Sequence, residues 1–402
     1  MVNYISHTKI AQEILRKIDS KYAVDLLRKL VRIPSVCQEK QTREISTFVE
    51  DEMKKYGLKV SVWGDRGKDW DRPNVIGSSK GVFGQPKLML AAHMDVVPSY
   101  DGRWIVDPFS ATIIDGKVYG RGAADTKGSL AAMMAACKAV VESGTELLGD
   151  FYLVAWYGDE WEFPDAKWYN GLSYLAHNQL IAADMAIFGE PYDLNICTSA
   201  KGRTWFDFEV GGQSMHSAVG KGVNAILKAM RLTQLIYADL KLGSDPLLGK
   251  DTINIGVIEG GTQPNIVPDK CIIKFDVRFG PHLTPGEVTR RVEAVVERLK
   301  LEDKDFKLNS INVYEKQQAL GFPSDSNLVK AMKKAGEISG RPLKVRGAVS
   351  FGDVWQWKDK IGLKEACLFG PGKTDQAHAI NEHVDIGDLL NATKIYALTM
   401  LY

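Results

Sequence analysis

The 402-residue sequence has no apolar run of 18 residues, and its first stretch, MVNYISHTKIAQEILRKID, lacks the apolar core of a signal peptide. A bilayer-spanning helix and a secretory leader are therefore not expected. An excess of either charge is also missing: Lys and Arg number 51, Asp and Glu 50, the net charge is +1, and the cations are scattered. Such a balance leaves no electrostatic footprint for nucleic acid or an anionic membrane, and neither is an expected partner. The cysteines Cys37, Cys137, Cys197, Cys271 and Cys367 are odd in number, widely spaced and include no C-x-x-C pair. That pattern argues against a disulfide framework, makes a reducing cytoplasm the expected setting, and reads each thiol as a small buried hydrophobe. GRGAADTKG and GPGKTD do not fit G-x-x-x-x-G-K-[ST], nor G-x-G-x-x-G before a helix, so their glycines read as tight turns rather than phosphate cradles.

The composition that is present, 45% apolar and 25% charged, is that of a soluble globular protein, and the length exceeds what one hydrophobic core usually serves. Two textures alternate along the chain. Residues 23–31 and 42–56 have apolar positions at helical spacing, KLMLAA leads to His93, a helix rich in Ala and Met follows Asp125, and FYLVAW and ADMAIFGEP read as buried strands. From about residue 200 the pattern becomes antiparallel: RTWFDFEVGG, TINIGVIEGG, CIIKFDVRF and FKLNSINVYE are strand-like, with helices at 224–240 and at TPGEVTRRVEAVVERL. The second of these helices opens with a Thr284/Glu287 capping box. The first texture returns near residue 317, with the strand-like EACLFG and a last helix from Asp385. The expected fold is α/β: a discontinuous domain, residues 1–199 and 317–402, with a central, largely parallel sheet flanked by helices. An α+β sandwich, residues 200–316, is inserted between its two parts.

Polar residues cluster where apolar runs end: His93 and Asp95 in AAHMDVVP, Asp125 in GRGAADTKG, Glu190 in FGEP and His378 in TDQAHAINEHV. Ligands in open α/β sheets bind at the carboxyl ends of strands, and imidazoles with carboxylates there point to a zinc-like divalent ion. His93 and Asp125 are the first two candidate ligands, and Asp95 is placed to accept the second imidazole N–H of His93.

In order along the chain, HMDVVP, W-x-x-DPF at Trp104–Phe109, VYGRGAADTKG, GDE, FGEP, GGQSMHSAVGKGVNA, NIVPDKC with Arg278, and AHAINEHV resemble the zinc-dependent aminoacylase, carboxypeptidase and desuccinylase family. These are the M20 metallopeptidases, which include acetylornithine deacetylase and succinyl-diaminopimelate desuccinylase. The resemblance implies His93, a bridging Asp125, Glu190 and His378 as metal ligands, one or two Zn²⁺ per chain with Co²⁺ or Mn²⁺ as substitutes, and Glu160 as the base acting on metal-activated water. It also implies that the discontinuous α/β domain is catalytic and the insert a lid and dimerisation domain, with His216 as an oxyanion donor reaching across a homodimer, and Asn265 and Arg278 as substrate-binding residues, Arg278 gripping a carboxylate. The expected substrate is an N-acyl amino acid or small peptide bearing a free carboxylate. The alternative is a non-catalytic metal- or ligand-binding relative.

One position departs from the family pattern. Where two adjacent glutamates are usual, this chain has Glu160 followed by Trp161, and an indole N–H cannot coordinate as a carboxylate does. Three accounts remain open: one metal held by His93, Asp125 and Glu190; a second site completed by Glu162; or a register shifted by one, with Asp159 as base and Glu160 as ligand. Trp156, Trp161, Trp168, Trp355 and Trp357 hint at a less polar cleft wall, and VSFGDVWQW, with Ser350 and Asp353, varies a family loop.

Overall fold

The computed structural model describes residues 2–37, 43–64, 73–100, 102–160, 170–348 and 357–401. The chain divides into two compact units, one of Met1–Thr198, Phe322–Arg346 and Gly352–Tyr402, the other of Ser199–Gly321 and Gly347–Phe351.

The first unit is built on a mixed sheet. Its strands follow the order Lys59–Trp63, Asn74–Ser79, Gly149–Trp156, Gly84–His93, Met185–Phe188, Glu365–Leu368, Ile196–Ala200. The centre is parallel, from Gly149–Trp156 to Glu365–Leu368, and the margins are antiparallel. The sequence pattern picked out this parallel centre because its strands are continuous apolar runs. The outer pair Lys59–Trp63 and Asn74–Ser79 had no such signature and was not anticipated.

Helix Lys127–Glu142 buries almost every side chain, which its small Ala and Gly residues allow, and packs against Ser20–Arg32, Ile386–Thr399 and the Gly84–His93 strand. Ser20–Arg32 turns Ala23, Leu26, Leu27, Leu30 and Val31 inward, and Asp19 caps it by accepting from the Tyr22 N–H. Helix Arg43–Lys55 buries Ile45, Val49 and Met53 and is followed by Gly57 at φ +82°. A small sheet of His383–Asp385, Lys117–Tyr119 and Thr112–Ile114 lies apart from the main one. Its strands are too short for period-two patterning to reveal, yet they join two segments that carry site residues.

The second unit is a four-stranded antiparallel sheet in the order Thr252–Gly260, Lys270–Phe279, Gly202–Gly211, Lys307–Gln317. Burial alternates along its central strands, and Phe206, Phe208, Val210, Ile273, Phe275 and Val277 face helices Ala225–Asp239 and Pro285–Glu302. The capping box at Thr284 and Glu287 is formed in both directions, with Pro285 in the first turn. Among the described residues no helix is long and apolar enough to cross a membrane. All five cysteines are free and buried.

Candidate metal centre

Sheet register assembles the first half of the site. In the parallel centre His93 pairs with Trp156 on one side, while Ala91 pairs with Phe188 on the other, so the ladder continued by two residues brings Glu190 level with His93. The Gly189 N–H donating to the Ala91 carbonyl at 2.8 Å carries that ladder past the strand's end. Close approach is needed beneath Glu190. A Cβ at Gly370 would lie 2.2 Å from Ser129 Oγ and 2.6 Å from the Glu190 carbonyl oxygen.

Asp125 arrives on the Gly120–Asp125 turn that precedes helix Lys127–Glu142, and its Oδ1 lies 3.1 Å from His93 Nε2. His93 Nδ1 lies 2.9 Å from the main-chain oxygen of Asp95, a partner that can only accept. The Nδ1 proton is therefore fixed, and in the neutral ring Nε2 presents a lone pair towards a carboxylate oxygen. Two acceptors facing each other at that distance call for a proton or a cation between them. The expectation for Asp95 is corrected in its atoms: its carboxylate is 3.7 Å from Nδ1 and instead accepts from the N–H groups of Gly158 at 2.9 Å and Glu160 at 3.0 Å. Asp95 thus holds the loop that carries Glu160.

The second half depends on that loop and on a segment from the far end of the chain. His378 Nε2 lies 2.9 Å from Glu160 Oε2 and 3.6 Å from Asp125 Oδ2. Candidate ligand atoms therefore form two triads, His93–Asp125–Glu190 and Asp125–Glu160–His378, within each of which all lie within 4.8 Å of one another. Asp125 belongs to both.

The electrostatics suit a cation. Burial, then the neighbouring Asp125 charge, raises the Glu160 carboxyl to about 7, and the same causes push Glu190 well above the carboxylate range. Burial opposes charge on His93, but its bond to Asp125 and the charges of Asp159, Asp125 and Asp95 outweigh that and lift its pKa. His378 is raised chiefly by its bond to Glu160. Acids crowded into one buried pocket with two imidazoles are an N,O donor set for Zn²⁺, Co²⁺ or Mn²⁺, and a divalent charge among them relieves the repulsion. The residues present fit the ion.

The other sequence candidates are distributed. Asp159 neighbours Glu160 but belongs to neither triad. Trp161, Glu162, Trp168, Ser350, Asp353 and Trp355 lie outside the described residues. His216, Asn265 and Arg278 belong to the second unit. There, exposed His216 caps the short helix Ser217–Val219 and pairs with Ile266, and the Ser217 N–H donates to the Asn265 carbonyl at 3.0 Å. Arg278 Nε donates to both oxygens of Asp276 at 2.9 Å, a partner not foreseen.

Three buried charges escaped the sequence reading. Arg121 and Glu382 pair at 2.7 Å, with both side chains 1% exposed. Lys127 Nζ donates to the Ile33 carbonyl, and burial pushes its pKa down to about 7. All three lie in motifs already singled out, GRGAADTKG and AHAINEHV, where attention went to Asp125 and His378.

A mixed sheet with two imidazoles and three carboxylates gathered beside its parallel centre defines an α/β protein with a candidate divalent-metal centre. The particular family follows from the match of residues 89–402 to the model of peptidase family M20/M25/M40, to which the chain belongs. It is 32% identical to an acetylornithine deacetylase of Myxococcus xanthus over 323 residues, 78% of this chain and 79% of the relative. An N-formyl-4-amino-5-aminomethyl-2-methylpyrimidine deformylase of Halalkalibacterium halodurans is 27% identical over 421 residues, 98% of this chain and 97% of that one. The aminopeptidase PepT structure from Bacillus cereus superposes with a TM-score of 0.75 at 21% identity, covering 96% of this chain and 98% of that one.

Proposed function

We propose that the protein hydrolyses the amide of a small N-acyl amino acid or related N-acyl amine, with Glu160 as general base and acid. The observation that carries this reading is the pair of triads sharing Asp125, one of which includes the buried carboxyl of Glu160, raised to about 7. A bound divalent ion supplies Lewis-acid polarisation of the scissile carbonyl and makes water more acidic. A carboxylate with a pKa near neutrality is matched to taking a proton from water and returning it to the leaving nitrogen. His378, 2.9 Å from Glu160 Oε2, orients that carboxylate. The acyl groups named in the two curated relatives, acetyl and formyl, are both small, which favours a short acyl chain.

Arg278 is proposed to hold the substrate carboxylate through its terminal nitrogens while Asp276 retains Nε. His216 and Asn265 are proposed to donate to the developing oxyanion. These groups lie towards opposite ends of the Lys270–Phe279 strand. At about 3.3 Å per residue, the stretch from Lys270 to Arg278 is roughly 26 Å, too long for one small substrate to touch both ends. The proposal therefore includes a homodimer, in which one subunit lends its His216 end to the other, as the resemblance to the family implies. In support, helix Ala225–Asp239 exposes Leu227, Met230 and Tyr237 on one stripe, beside exposed Ile258 on the outer strand Thr252–Gly260.

The test is turnover of a panel of N-formyl, N-acetyl and N-succinyl amino acids, acylated amines and dipeptides with Zn²⁺, Co²⁺ or Mn²⁺. Metal-dependent release of amine from the short-acyl members is expected, and no turnover across the panel would overturn the proposal. Sedimentation at assay concentration is expected to give a dimer; an active monomer would remove the shared role of His216.

A further inference from the structure

The two triads are held by different means. His93 and Glu190 are aligned by backbone register between neighbouring strands, so their separation is a property of the sheet. His378 has no such support. Its side chain is 53% exposed, it lies outside any strand, and its backbone takes a left-handed φ of +60°, as does Asn381 at +63°. That conformation is uncommon outside glycine, although histidine and asparagine adopt it more readily than most residues.

Main-chain pairing of His383–Asp385 with Lys117–Tyr119, and the Gly120 N–H donating to the Glu382 carbonyl at 2.9 Å, bring this segment to the Asp125 turn, and one ion pair joins the two in both directions. Glu382, from the His378 segment, reaches the Asp125 turn, and its carboxylate accepts the main-chain N–H groups of Gly122 at 2.9 Å, Ala124 at 2.9 Å and Asp125 at 3.0 Å. Arg121, from the Asp125 turn, reaches back. Its Nη1 donates to Glu382 at 2.7 Å and to the Ala379 carbonyl at 3.2 Å, and its Nη2 donates to the His378 carbonyl at 3.4 Å. The Trp104 ring covers the guanidinium at 5.2 Å. Each side chain thus binds the backbone that carries the other triad member.

We propose that Arg121 and Glu382 are positioning residues that set His378 against Asp125, so that the Asp125–Glu160–His378 cluster depends on them more than the His93–Asp125–Glu190 cluster, two of whose three members are aligned by sheet register. Neither residue touches a candidate ligand atom, and both act through the main chain of the ligands. The inference rests on the reading of the two triads as metal sites.

The experiment is titration of the chelator-stripped full chain with Co²⁺, followed by visible absorption and calorimetry, for wild type, Glu382→Gln, His378→Ala and the double variant Arg121→Met/Glu382→Gln. Removing the partner of a buried charge may stop a chain from folding, whereas the double variant leaves no uncompensated charge. Wild type is expected to take two ions per chain. Glu382→Gln and the double variant are expected to bind the second at least about tenfold more weakly, approaching His378→Ala, with the first weakened much less, since partners behind metal ligands are typically worth 10–100-fold in affinity. A general loss of structure would weaken both ions together and, if seen in the double variant, would overturn the inference. Two ions bound with wild-type affinities by the double variant would also overturn it, while leaving the triads intact. A wild type that binds no ion would refute the metal-site reading itself.

Discussion

The lid sheet and the metal-bearing end of the catalytic sheet treat charge in opposite ways. On the open face of the second unit's sheet, opposite charges meet across strands, Lys270 with Glu209 at 2.7 Å and Lys274 with Asp207 at 3.3 Å, and Asp276 accepts from the Trp205 indole N–H at 3.0 Å. These pairs are half exposed and mutually satisfied, the arrangement a sheet adopts for stability and register. In the catalytic unit, Asp125, Glu160 and Glu190 converge in a buried place where their repulsion and desolvation keep two of them above the carboxylate range. Folding alone gives no reason to gather like charges there. The difference marks which of two polar surfaces exists to bind an ion.

The strongest way to break this contrast is Glu160→Gln. Loss of general acid–base catalysis should lower kcat by about 10²- to 10⁴-fold, roughly 3–5 kcal/mol, while the ion of the His93–Asp125–Glu190 triad, which Glu160 does not join, stays bound as in the wild type by Co²⁺ titration. Metal removal is next. Zn²⁺ restored to the stripped protein at about 100 times its dissociation constant should raise stability by about 2.7 kcal/mol, measured as a shift in thermal unfolding, because only the folded chain holds the triads together.

Lys127 tests buried charge of the other sign. Its folded pKa, about 7, lies below the ordinary lysine value, so between about 7 and 10 the unfolded chain holds a proton that the folded chain lacks. Wild-type stability relative to Lys127→Met should therefore rise with pH across that window, by up to roughly 1.4 kcal/mol per unit, and be flat below it. Denaturant unfolding at several pH values measures the slope. The smallest effect belongs to the lid: Lys270→Ala should cost no more than about 1 kcal/mol and leave metal uptake unchanged, as exposed ion pairs usually do.

Long elements with clean periodicity were legible in the chain, including helix Pro285–Glu302 with its capping box and the alternating strand Lys270–Phe279. The small sheet joining His383–Asp385 to Lys117–Tyr119 was not, because three residues are too few for a period to show. Among site residues, His93, Asp125, Glu160, Glu190 and His378 announced themselves as polar groups ending apolar runs or within spaced motifs. Arg121, Lys127 and Glu382 did not, since a charged side chain in a motif reads as exposed until a partner is seen to bury it.

The sequence by itself determined the α/β class, the inserted antiparallel segment and the residue types of a metal-dependent hydrolase, because periodicity and donor chemistry are local properties. Only the tertiary structure decided that Asp95 meets the His93 ring with its main-chain oxygen and the Glu160 loop with its carboxylate, and that Arg121 and Glu382 tie His378 to Asp125. Those outcomes depend on distances between segments up to 261 residues apart, set by sheet register and buried hydrogen bonds that no local pattern encodes.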